Sequence, residues 1–305
     1  METVQIELNR ITRIIFITSP FASLINGKFV QVLLPAFAGA YFLTLDVWGT
    51  DLDFIKNHIP THKKVFLGLL VATLSSQIFK AISDSLAKEL QGAYARFLED
   101  FMLLTGRVVE FKLARFRKIA KSLKPKSDAF KAITQPNDQV SYIIDQSLAW
   151  IRHSFGLAED QLSITVIQIR NGGSKVFYAF EEPQGWNRTK AKSIMGSESA
   201  AAACDKSGEP VFYADKKSAI EERKYFMSDR DSDRKIGSIY CYPTIVALPG
   251  SSEKFIISIT TYGKLLCQPD DDEATGIAQS ILRELCRRVE LELTLRAVRQ
   301  WKFEE

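Results

Sequence analysis

The chain is poor in the residues that build metal or redox centres, with four cysteines and three histidines in 305 residues. Cys204, Cys241, Cys267 and Cys286 stand far apart with no C-x-x-C pair, and His58, His62 and His153 are equally dispersed. Zinc needs soft ligands at close spacing, so no metal site is expected, and the thiols read as free cysteines in a reducing compartment. Excess charge of one sign is lacking too. Forty Lys and Arg against 36 Asp and Glu leave a formal net charge of +4, too little to argue for nucleic acid as a partner. H-E-x-x-H, P-loop, G-x-S-x-G, kinase and cyclase motifs are all missing. The expectation is a protein that is not an enzyme and that carries no cofactor of its own.

Apolar residues are unevenly spread, with the long runs concentrated in residues 11–82. Phe29–Leu45, FVQVLLPAFAGAYFLTL, has only Gln31 and Thr44 as polar interruptions. Extended to Trp48 it reaches the ~20 residues that a ~30 Å hydrocarbon core requires. Pro35 is tolerated in lipid-embedded helices, and Tyr41 and Trp48 suit the headgroup level. A second run, Val65–Phe79, extends to Ile82 with Lys63, Lys64 and Lys80 able to snorkel. The prediction is a membrane region over residues 1–82, with spans at about 29–48 and 65–82 joined by a polar loop from Gly49 to Lys64. A further apolar stretch at 11–25, broken at Pro20, is too short to span and suits the interface. Basic residues after the second span, with the free thiols, place both chain ends on the cytoplasmic side of an inner (plasma) membrane.

Residues 83–136 read as a helical connector. Ala87, Leu90, Tyr94, Phe97, Phe101, Leu104, Val108 and Phe111 recur in steps of three and four, a stripe that buries itself against a partner helix. Two readings stay open: self-association into a homo-oligomer, or packing on the chain's own domain. The basic cluster from Lys112 to Lys126 suits either anionic lipid headgroups or a solvated helix end.

Residues 137–305 alternate helix, strands, helix, strands, helix. SITVIQIR (Ser163–Arg170) and Lys175–Phe180 flank Asn171-Gly172-Gly173 as a hairpin. Two later strands, Gly237–Leu248 and Lys254–Tyr262, are joined by Pro249-Gly250-Ser251-Ser252, and an amphipathic helix follows from Asp270. The fold class expected is α+β, an antiparallel sheet flanked by helices.

Ser197–Asp215, SESAAAACDKSGEPVFYAD, resembles the segment of GAF domains in which a small-residue helix leads through Ser-Gly-Glu-Pro-Val into a strand. Ile236–Ile245 is similar to the central strand of that family, and Phe255–Leu265 and Pro269–Leu285 to its following strand and terminal helix. The resemblance implies a domain that binds a small molecule, a nucleotide-like messenger among the candidates, or that serves for dimerisation. The Asn-Lys-Phe-Asp-Glu motif of the cyclic-nucleotide subset is missing, and no cysteine neighbours a histidine as a covalent bilin would require.

A pocket is expected between the sheet and the long excursion Glu181–Lys235. Its candidate ligand-binding residues are Trp186, Arg188, Tyr225, Phe226, Arg230 and Arg234, with Tyr240, Tyr242 and Thr244 on one face of the adjoining strand. Together these features predict a membrane-anchored sensor whose C-terminal domain controls its transmembrane helices, by analogy a membrane effector in bacterial antiviral defence. The competing expectation is a non-catalytic adaptor that dimerises and recruits a partner to the membrane.

Overall fold

The computed structural model describes residues 12, 14–48, 52–124, 128–170, 173, 175–185, 188–225 and 236–303. Contacts divide the chain into two compact units, residues 1–98 and 99–305.

In the first unit a π-helical turn, Ile14–Thr18, leads to α1 (Pro20–Asn26), whose N-cap Ser19 accepts from the amide of Ala22. Helix α2 (Lys28–Trp48) keeps Pro35 within it. After a short helix, α3 (Asp53–Lys56), helix α4 runs from Ile59 to Ala120. The polar loop expected to reach Lys64 therefore ends earlier. Pro60 sits in the first turn of α4, where its missing N–H costs no helical hydrogen bond.

Helices α2 and α4 are antiparallel neighbours, as paired contacts show. Gln31 Nε2 donates to the Ser76 carbonyl at 3.3 Å and Tyr41 Oη lies 2.7 Å from His62 Nδ1, while Asn26 Nδ2 at the end of α1 donates to Ser83 Oγ at 2.8 Å. Lys28–Trp48 and Ile59–Lys88 are each long and apolar enough to cross a membrane. Their outward residues are bare: Phe29, Phe37, Leu67, Val71 and Ile78 are all exposed. A hairpin with polar pairs between its helices and apolar side chains outside is the arrangement hydrocarbon favours, because lipid cannot satisfy the polar groups.

The second unit holds a five-stranded antiparallel sheet, β1 (Leu162–Arg170), β2 (Lys175–Glu182), β3 (Val211–Tyr213), β4 (Ile239–Leu248) and β5 (Ser251–Thr261), in the order β2-β1-β5-β4-β3. Alternation along the strands divides the core in two. Ile164, Val166, Ile257, Ile259 and Tyr240 point to one face, towards α6 (Pro136–Phe155), which follows the short α5 (Ala129–Ile133), and α10 (Asp272–Phe303). Ile167, Ile169, Ile239, Cys241 and Ile256 point to the other, beneath α7 (Ala191–Met195) and α8 (Ala200–Ser207). Gly156, at φ 59°, closes α6 in the left-handed conformation that glycine adopts without strain.

The C-terminal part of α4 belongs to this second unit. Phe111 stacks on Tyr142 at 4.0 Å, Phe101 meets Trp150 edge-on at 5.3 Å, and Leu104 and Val108 are buried. Lys112 pairs with the buried Glu292 of α10. From Phe101 to Phe111 the heptad stripe thus packs on the chain's own domain. The side chains of Leu90 and Tyr94 lie outside the described residues.

Candidate functional site

A cavity of ≈ 80 Å³ opens on the sheet face that carries α7 and α8. Its floor is laid by the two central strands. Ser163 stands opposite Thr260 and Thr165 opposite Ser258, so two cross-strand pairs bring four hydroxyls together. Strand alternation puts all four on one side, because positions two apart share a face. They are buried, with relative exposures of 2–8%. The roof comes from α8, where Ser199 caps the helix through the amide of Ala202 and Ala200 and Ala201 lie over the sheet. Small side chains there leave the space that larger ones would fill.

Tyr178, Tyr225 and Tyr262 form walls. Burial, offset in part by the nearby Arg188, pushes the Tyr178 phenol up to about 12, and its hydroxyl donates to the Thr189 carbonyl at 2.9 Å. Arg188 reaches the cavity from the segment after β2. Its guanidinium donates to Ser163 Oγ at 3.2 Å and to the Pro183 carbonyl at 2.8 Å, and its Nε lies 3.2 Å from Glu181. The carboxylate offsets the arginine charge, and the arginine fixes the Ser163 hydroxyl.

Of the residues expected from sequence, Arg188 and Tyr225 line this cavity. Trp186, Phe226, Arg230 and Arg234 lie outside the described residues. Tyr240, Tyr242 and Thr244 take the opposite face of β4. Tyr240 is buried, Tyr242 Oη donates to Glu290 of α10 at 2.8 Å, and Thr244 is buried beside them. The three do share one strand face, yet it is the one turned away from the cavity, and Ile239 stands there instead. The hydroxyl floor was missed in the sequence reading, although it leaves a signal. Ser163 and Thr165, then Ser258 and Thr260, are polar at period two inside otherwise isoleucine-rich strands.

Among the described residues no group of three His, Cys, Asp or Glu is placed to hold a metal ion. The cavity itself presents hydroxyls and aromatic faces. No family model and no curated protein matches the chain.

Proposed function

We propose that the chain is a membrane-anchored small-molecule sensor whose GAF-like domain controls its transmembrane helices. The observation that carries this reading is the cavity, a half-enclosed hollow with a hydroxyl floor on a sheet face that is otherwise covered by apolar side chains. The two helices long enough to cross a membrane give such a domain something to act on. Control requires the ligand to favour one arrangement of the chain over another, since a ligand that binds both equally shifts nothing. The sensor domain faces the cytoplasm of an inner membrane in this reading, and the output is exerted within the bilayer.

The homo-oligomeric part of the proposal has a feature of its own. Met102, Val109 and Leu113 share the side of α4 opposite Leu104 and Val108, and they are 69%, 50% and 44% exposed. A helix apolar on two sides, with one packed on its own domain, offers the other to a second copy. That feature also serves the adaptor reading, in which the domain only dimerises.

Membranes from expressing cells, washed at alkaline pH, test the anchor: the full chain stays in the pellet if the proposal holds and is released if it fails. Screening the detergent-solubilised full chain by thermal shift separates sensor from adaptor. A ligand that binds only the folded state raises the melting temperature, and the adaptor predicts none that does.

A further inference from the structure

We propose that the cavity takes a compact, uncharged ring bearing both hydrogen-bond donors and acceptors, a free nucleobase or similar cyclic amide, in preference to a phosphorylated nucleotide. This assignment rests on the sensor reading and names its ligand class.

The floor supplies the first argument. On the far face of the same two strands, Ile164 faces Ile259 and Val166 faces Ile257, the apolar pairing that a covered sheet normally has. On the cavity face the corresponding pairs are Ser163 with Thr260 and Thr165 with Ser258. Ser163 accepts from Arg188, and Ser258 Oγ lies 3.4 Å from Cys241 Sγ. Thr165 and Thr260 are 8% and 6% exposed, line the cavity, and among the described residues bond through their hydroxyls to no other protein group. Buried hydroxyls without partners are unfavourable unless water or a ligand meets them. A threonine hydroxyl can donate or accept, which matches a ring edge carrying both functions.

Charge supplies the second. Arg188 is the one charged side chain lining the cavity among the described residues, and Glu181 at 3.2 Å offsets it. Lys216 is buried behind the tyrosine wall, its Nζ 4.2 Å from the centre of the Tyr262 ring, and does not line the cavity. Among the described residues a phosphate entering here would meet no uncompensated cation, whereas an uncharged ring loses little on desolvation. Size agrees. One water needs ~10–15 Å³ of such space, so ≈ 80 Å³ holds several waters or one small ring between the tyrosines.

The test uses the full chain in detergent and four probes: uracil and hypoxanthine, and their monophosphates UMP and IMP. The expected result is a raised melting temperature with at least one free base, with its monophosphate needing at least tenfold more for the same shift. Thr165→Val with Thr260→Val removes the two threonine hydroxyls of the floor at nearly constant shape and abolishes that shift. The paired Thr→Ser changes retain the hydroxyls and the shift, a control that holds even if the valine variant fails to fold. A shift with UMP or IMP alone overturns the ring assignment and leaves the sensor reading standing. A free-base shift that survives the valine variant also overturns it. No shift with any of the four overturns the assignment and counts against the sensor as well.

Discussion

The amide of Lys216 donates to the carbonyl oxygen of Gly237 at 2.7 Å, tying the start of α9 (Lys216–Glu221) to the chain just before β4. The approach is close enough to exclude any side chain at 237. A Cβ there would fall 2.2 Å from the Thr261 carbonyl oxygen and 2.8 Å from Lys216 Cε, and φ is +153°.

Gly237→Ala is therefore expected to destabilise the second unit by about 1–3 kcal/mol, since the backbone of β5 cannot yield as a flexible side chain would. Thermal melting of the full chain, followed by circular dichroism, reads the effect. An unchanged midpoint contradicts the packing described here.

Lys112 and Glu292 join the C-terminal part of α4 to α10, with side-chain exposures of 28% and 5%. Glu292→Ala leaves a cation beside an apolar interface. Because Lys112 retains access to water, the loss should be about 1–3 kcal/mol, below the value for a fully buried pair. Replacing both, Lys112→Met with Glu292→Leu, should recover most of it. Chemical denaturation of the three variants makes the comparison. A double variant no more stable than the single one would show that the pair contributes more than it costs to bury.

Tyr178 provides a pH signature. Its phenol lies at about 12, against 10.0 for an unperturbed tyrosine, chiefly because of burial. A folded-state value above the unfolded one favours the protonated form. The stability it contributes is whole below pH 10 and is lost as pH rises from there through about 12. Ultraviolet difference spectroscopy should show a group of phenols ionising late, Tyr178 and Tyr240 among them, and Tyr178→Phe should remove one phenol from that group. A tyrosine titrating with the exposed ones would place Tyr178 outside the wall.

Thiol chemistry tests the core from another side. Cys204, Cys241 and Cys286 are buried and Cys267 is half-buried. Burial raises all four thiols, Cys241 up to about 12. A thiol-reactive chromophore should label at most Cys267 in the native chain, slowly, and all four in guanidinium. Rapid native labelling of two or more would contradict the core as described.

The hydroxyl floor and the connector stripe mark the limit of reading along the chain. Period-two polarity in Ser163–Thr165 and Ser258–Thr260 is visible in the sequence, but which strands become neighbours is not. The pairs therefore assemble only once β1 lies against β5. Likewise the run Phe101–Phe111 announces a buried helix side without naming its partner. The partner is α6, reached through Tyr142 and Trp150, which lie far along the chain.

The sequence by itself determined what local chemistry controls. Apolar runs set the lengths of α2 and the first part of α4, and β-branched runs closed by turn residues set the strands. Prolines and glycines set several of the element ends. The tertiary structure alone decided which face of β4 looks into the cavity, and so removed Tyr240, Tyr242 and Thr244 from its lining. It also decided which stripe of α4 is covered and which, through Met102, Val109 and Leu113, stays bare. The physical reason is that periodicity defines the two sides of an element, while the side that is buried depends on what distant segments bring against it.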